Sequence, residues 1–204
     1  MSGDKVGGSH VYFVYAGQSA IFTIAQKLRP DAIEAVQALR NLGLDLHILS
    51  GDNTGAVRPV AEALGIAQWF GGLKPTEKIA SIEALKAQGR RVLMVGDGLN
   101  DAPALAAASA SLSPISATDL TQAQAAAVFL SERLMPVFEA VQIARRARSL
   151  MTQNLWLAAV YNAIAVPVAI AGLVTPLIAA LAMSGSSMLV TINALRANIR
   201  RDRP

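Results

Sequence analysis

Gly96-Asp97-Gly98-Leu99-Asn100-Asp101-Ala102-Pro103-Ala104-Leu105 follows directly on the short run Arg91 to Val95, apolar after its arginine. The run predicts a strand, and the two glycines let the backbone turn sharply where it ends. Asp97 and Asp101 stand four residues apart, one helical turn, so both carboxylates can face one point. Hard carboxylate oxygens at a phosphate-handling site suit Mg²⁺, which keeps several of its waters. Taken alone, Gly-Asp-Gly also makes a plain turn; the ten-residue string is more specific.

Short strands alternate with helices on both sides of this loop. Val11 to Tyr15 and Ala20 to Ala25 predict a hairpin around Ala16-Gly17-Gln18. Pro30-Asp31 opens a helix bearing Ile33, Val36, Leu39 and Leu42, and Gly43 ends it. Leu44 to Leu49 reads as a buried strand, followed by Ser50-Gly51-Asp52-Asn53 and a helix that stops at Gly65. A strand around Trp69-Phe70 precedes a helix opened by Pro75, bearing Ile79, Ile82 and Leu85 and ended by Gly89. Ala102 to Ala110 reads as a tightly packing helix, with strands at Ser111 to Ser113 and Ala127 to Leu130. This alternation predicts an α/β fold, a Rossmann-like parallel sheet covered on both faces. Chemistry in such sheets gathers at the carboxyl ends of the strands, where Ser50 and Asp97 both fall.

Composition changes abruptly near residue 149. The chain of 204 residues is 53% hydrophobic, with a mean hydropathy of +0.41, and the apolar excess is concentrated: Ser149 to Leu195 contains no Asp, Glu, Lys or Arg. That stretch is too long for one crossing of about 20 residues and predicts a two-helix transmembrane hairpin. Gly172-Leu173-Val174-Thr175-Pro176 supplies its turn: a glycine stop, a threonine N-cap and a proline at the first helical position. Arginines bracket the stretch, at Arg145, Arg146 and Arg148 before it and Arg196, Arg200, Arg201 and Arg203 after it. By the positive-inside rule, both ends and the soluble domain are cytoplasmic. The net charge of +4 therefore fits membrane flanks better than nucleic acid, since no aromatics interleave with the arginines to stack on bases. No cysteine is present, so disulfides and thiolate metal sites are excluded within the chain. Met1 to His10 lacks the apolar core of a signal peptide. His10 and His47 have no ligand partner nearby in sequence and are read as structural.

The ten-residue string resembles the hinge-loop signature of P-type ATPases, in the haloacid-dehalogenase superfamily. Ser50-Gly51-Asp52 resembles the family's Thr-Gly-Asp, and Pro75-Thr76-Glu77-Lys78 its Pro-x-x-Lys, both in family order. The resemblance implies Ser50, Gly51, Asp52, Lys78 and Asn100 as catalytic-site residues, with Ser50 and Lys78 on the transferred phosphoryl group. It implies Mg²⁺ at Asp97, with Asp101 beside it, and ATP as the phosphoryl donor. A hydroxyl, an ammonium and a metal held by carboxylates are what phosphoryl transfer needs for positioning and charge stabilisation. Taken singly, Ser50 also suits a helix N-cap and Lys78 a solvated helix face.

The family's phosphorylated aspartate, in Asp-Lys-Thr-Gly-Thr, has no counterpart. Asp4-Lys5-Val6-Gly7 fails to match, because Val6 replaces the threonine and no apolar strand precedes Asp4. Leu28-Arg29-Pro30-Asp31-Ala32 resembles the return into the phosphorylation domain. The expected organisation is then the tail of a nucleotide-binding domain at 1–27 and a haloacid-dehalogenase-like domain lacking its first strand at 28–148. Two transmembrane helices at 149–195 and a basic cytoplasmic tail at 196–204 complete it.

Within the spans, Tyr161-Asn162 and the pair Met183 and Ser187, four apart on one helix face, resemble the last two helices of copper-transporting type IB pumps. A thioether suits Cu(I). Zinc relatives are expected to carry charged residues in these helices, whereas silver would share the soft site. Asn193-Ala194-Leu195-Arg196 fits the copper group, and the pattern from Leu173 to Leu195 with Gln26-Lys27 resembles its cytochrome-oxidase-assembly branch. Met183 equally suits core packing, and Ser184 to Ser187 suit close helix contact.

The expected function is therefore the C-terminal part of an ATP-driven Cu(I) or Ag(I) exporter in a bacterial inner membrane, inactive alone. Its expected partners are membrane lipid, the missing N-terminal part of the pump and a copper chaperone. The alternative is a stand-alone, non-catalytic membrane protein that binds metal or partners a full-length pump. A membrane-anchored phosphatase would need a first-strand nucleophile.

Overall fold

The structure is a computed structural model that describes residues 6–15 and 17–196. Its elements divide into two compact units, Met1–Phe138 and Glu139–Pro204.

The first unit opens with an antiparallel hairpin, β1 (Val6–Tyr15) and β2 (Gln18–Gln26). Tyr15 pairs with Gln18, and Gly17 between them has φ 77°, a conformation that favours glycine. The hairpin is longer than alternation alone predicts, because β1 runs back through Gly7, Gly8 and Ser9, whose small side chains carry no apolar pattern.

Three α/β repeats follow. Helix α1 (Ala32–Asn41) leads to β3 (His47–Leu49), α2 (Thr54–Leu64) to β4 (Gln68–Phe70), and α3 (Pro75–Ala87) to β5 (Leu93–Val95). Helix α1 buries Ala32, Ala35 and Val36, while Ile33, expected on the core face, is 57% exposed. Ala32, Ala35 and Val36 share one helix face, and Ile33, one residue on from Ala32, lies off it. Asn53, not Ser50, caps α2: its side-chain oxygen accepts from Ala56 N–H at 2.9 Å. Gly65 closes the same helix at φ 64°. Pro75 stands at the start of α3, where Glu77 accepts from the Lys74 N–H at 2.7 Å.

After β5 come a 3-10 turn (Leu99–Asp101), α4 (Ala102–Ala107), β6 (Ala110–Pro114), α5 (Asp119–Gln124) and β7 (Ala127–Phe129). Helix α4 is shorter than the alanine run, which passes into β6 at Ala110. Strands β5, β6 and β7 form one parallel sheet in that order, and β3 and β4 form a parallel pair. Among the described residues, β3 is hydrogen-bonded only to β4 and β5 only to β6. The single sheet expected from the alternation is thus present as two pieces. Arg90, just before β5, pairs with Asp45, just before β3, and ties the amino ends of the two pieces together.

Helix α6 (Met135–Ile170) continues from the first unit into the second, and α7 (Pro176–Leu195) follows. Both are long and apolar enough to cross a membrane. The turn between them is built as the sequence predicts. Gly172 has φ 72°, Thr175 accepts from Ile178 N–H at 3.3 Å and Pro176 begins the helix. Helix α6 runs on through Pro167, whose carbonyl accepts from Ala171 N–H at 3.0 Å.

Candidate active site

The carboxyl ends of β3 and β5 carry the residues singled out by sequence. Ser50 follows β3; its N–H donates to Phe70 at 2.9 Å and its carbonyl accepts from Leu73 N–H at 2.9 Å. The second bond pins the loop that leads into α3, and with it Lys78. The Ser50 hydroxyl accepts from Asp52 N–H at 3.1 Å, closing a local turn that holds the Oγ at the strand end. Gly51 and Asp52 are exposed there.

Lys78 is buried at 6% exposure, so a solvated helix face is ruled out. Its Nζ donates to Asp101 Oδ1 at 2.7 Å, with side chains 7% and 17% exposed. The ammonium lies in the first turn of α3, where the helix dipole disfavours a cation. The carboxylate of Asp101 offsets both that and the loss of water.

The two loop glycines are needed for space rather than for a special dihedral. Gly98 has φ −87° and ψ 149°, ordinary extended values, and Gly96 is not among the residues with positive φ. A Cβ on Gly96 would lie 2.9 Å from the Asp101 Cβ, and one on Gly98 would lie 3.3 Å from Asp101 Oδ2. The loop backbone therefore packs directly on the aspartate that holds Lys78. Thr121, fully buried on α5, donates to the Gly98 carbonyl at 2.9 Å and anchors the loop from the far side.

Asp97 projects outward, with 61% of its side chain exposed, and accepts from Arg29 at 3.2 Å. The two loop carboxylates thus face different cations of the chain, Arg29 for Asp97 and Lys78 for Asp101. Asn100 is exposed on the same loop. Among the described residues no three His, Cys, Asp or Glu side chains form a metal-binding group. The extended Gly98 between them keeps the two carboxylates from the shared helical face expected from their spacing; the exposed Asp97 still fits Mg²⁺, which is commonly held by one or two carboxylates with water and phosphate oxygens.

Asp31, which no local pattern marks as functional, is a buried anchor. At 8% exposure its carboxylate accepts from the N–H groups of Leu134 and Met135 at 2.8 to 3.0 Å. Burial pushes its pKa up, but these backbone hydrogen bonds and the nearby Arg133 outweigh burial and hold it below 3.8. The signal for such a cap is an acidic residue, but its target lies about a hundred residues away, beyond the reach of local pattern.

Residues 5–109 match the family model described as haloacid dehalogenase-like hydrolase. The chain belongs to that family. It is 56% identical to the nitrogen fixation protein FixI of Bradyrhizobium diazoefficiens over 93% of its own length and 26% of the relative's. It is 37% identical to the copper-exporting P-type ATPase B of Enterococcus hirae, over 86% of this chain and 24% of that one. Its fold matches a zinc-transporting PIB-type ATPase in the E2.Pi state at a TM-score of 0.81 and 31% identity, covering 95% of this chain and 32% of that one. The chain spans about a quarter of the length of the curated relatives it matches. The haloacid dehalogenase-like domain thus comes with the two apolar helices in the same match.

In the second unit, the residues expected to meet a transported ion are only partly gathered. Tyr161 and Ser187 line one groove of 710 Å³ between α6 and α7, together with Gly185 and Ser186. Asn162 and Met183 do not line it, and Met183 is 70% exposed. A polar contact that sequence did not single out joins the helices near their charged ends: Asn193 donates to Asn154 at 2.8 Å. Arg146 donates to the Arg196 carbonyl at 2.6 Å beside it.

Proposed function

We propose that this chain is the phosphoryl-gripping and membrane-spanning part of an ATP-driven pump that exports Cu(I), or Ag(I) through the same soft site. One observation carries the reading. Ser50 is tied to the loop before α3 through Leu73, and Lys78 on α3 is buried against Asp101 beneath the Gly96–Gly98 backbone. Three separated motifs are therefore connected at the carboxyl ends of β3 and β5.

In the complete pump, ATP phosphorylates an aspartate on a further strand. Strands β3 and β5 each have one edge without a hydrogen-bonded partner among the described residues. A parallel strand inserted between them would bring an aspartate at its carboxyl end beside Ser50 and Lys78. The Ser50 hydroxyl and the Lys78 ammonium then hold equatorial phosphoryl oxygens, and Asp101 keeps the ammonium aimed. Asp97, with Asp101 beside it, would hold Mg²⁺, and the ion would supply positive charge to offset the negative charge developing on those oxygens. The stretch 28–148 serves as the phosphorylation domain and 149–195 as two spans in a bacterial inner membrane, with both chain ends cytoplasmic. Membrane lipid, the remainder of the pump and a copper chaperone are its partners.

Copper is favoured over zinc because Tyr161, Asn162, Met183 and Ser187 are uncharged and include a thioether. The relatives named as copper transporters agree, while the zinc-transporting structure shares the fold at lower identity.

Sequencing the DNA upstream of the Met1 codon tests the reading. An open frame encoding Asp-Lys-Thr-Gly-Thr and a Cys-Pro-Cys helix supports the pump. An in-frame stop directly before Met1 overturns it in favour of a non-catalytic metal-binding partner.

A further inference from the structure

Arg29 makes two contacts with one guanidinium. One terminal nitrogen donates to the Glu132 carbonyl at 2.6 Å, and the other donates to Asp97 Oδ2 at 3.2 Å. The next residue is proline, which fixes the chain direction, and Asp31 after it accepts from the Leu134 and Met135 N–H groups at the start of α6. Arg29-Pro30-Asp31 therefore clips the segment between β7 and α6. The same clip reaches the loop carboxylate most exposed to solvent. A planar guanidinium can hold a carbonyl and a carboxylate at once in fixed directions, which an ammonium does not.

We infer that Arg29 is a positioning residue that links Asp97 to the start of α6, its guanidinium competing with a divalent cation for the Asp97 carboxylate while it holds the Glu132 carbonyl. The inference rests on the reading of Asp97 as a Mg²⁺ ligand. With Asp97 drawn away, Arg29 loses one of its two anchors and its grip on Glu132 loosens. The state of the phosphoryl site is then felt at the first turn of the helix that continues to Ile170. Asp31 stays in place throughout, so α6 keeps its cap.

The full chain in lipid nanodiscs, titrated with Mg²⁺ alone, provides the test. Two readouts are followed: Mg²⁺ affinity by calorimetry, and hydrogen–deuterium exchange of residues 131–137. In the wild type, Mg²⁺ is expected to speed exchange in that segment. Arg29→Gln should exchange fast with or without Mg²⁺ and bind the ion about two- to fivefold more tightly, the range for loss of a partly exposed ion pair. Arg29→Lys should keep the weaker Mg²⁺ affinity but lose the Mg²⁺ response at residues 131–137, separating charge from bridging. Asp97→Asn should lower Mg²⁺ affinity; if it does not, the Mg²⁺ reading fails. If Asp97→Asn lowers affinity while Arg29→Gln and Arg29→Lys both keep wild-type affinity and wild-type exchange response, the role of Arg29 is overturned and the metal reading stands.

Discussion

Lys78 and Asp101, 23 residues apart in sequence, meet at 2.7 Å with both side chains largely out of water. Neither is stable there alone, because a buried charge without its partner is strongly unfavourable. Lys78→Met and Asp101→Asn are each expected to destabilise the first unit by about 3–5 kcal/mol. The double variant should cost clearly less than the sum. Denaturant unfolding followed by circular dichroism measures all three, and additive losses would contradict a direct pair.

The close approach at the loop makes a graded prediction. Gly96→Ala places a Cβ 2.9 Å from the Asp101 Cβ, where only a backbone shift can relieve it. The expected cost is about 1–3 kcal/mol. Gly98→Ala meets only the end of the same side chain, at 3.3 Å, and should cost less. Thermal unfolding of the two variants gives the order, and a reversed order would mean that the loop is held otherwise.

Thr121 is fully buried, and its hydroxyl donates to the Gly98 carbonyl. Thr121→Val keeps the shape and removes the donor, at an expected cost of about 1–3 kcal/mol. Thr121→Ser should retain most of the stability. Comparing the two by denaturant titration separates the hydrogen bond from the packing.

Asp31 sets an acid limit. Its folded-state pKa lies below the ordinary value of 3.8, so the stability it contributes is present above that value and lost as pH falls through the folded one. Asp31→Asn is expected to destabilise by about 1.5–3 kcal/mol at neutral pH and to flatten the fall in stability below about pH 4. Unfolding midpoints measured from pH 7 to pH 2 in both proteins check the sign. A steeper fall in the variant would rule out a depressed pKa.

The strand–helix alternation, the glycine helix stops and the turn at Gly172 to Pro176 are legible because each depends on residues within a few positions of one another. The three segments proposed to form the phosphoryl site are locally recognisable for the same reason: Ser50, Lys78 and Asp97 each sit in a short pattern at a strand end or helix start. Their mutual arrangement is not, since Lys78–Asp101, Arg29–Asp97 and Asp31–Leu134 span long stretches of chain. Helix α5 was hidden by its brevity, although Thr118 caps it and accepts from Thr121 N–H at 3.4 Å. The purpose of Gly96 and Gly98 was also out of reach. A glycine needed for a close neighbour looks, in sequence, like one needed for a turn.

The most direct measurement is phosphorylation from labelled ATP, with this chain mixed with a separately made polypeptide carrying Asp-Lys-Thr-Gly-Thr on its strand and a nucleotide-binding domain. The account predicts an acid-stable, hydroxylamine-sensitive band on the added polypeptide only when both are present, and its loss with Lys78→Ala or Asp97→Asn. A labelled band on this chain by itself, or one on the added polypeptide that is indifferent to Lys78 and Asp97, would contradict the placement of the phosphoryl site at the carboxyl ends of β3 and β5.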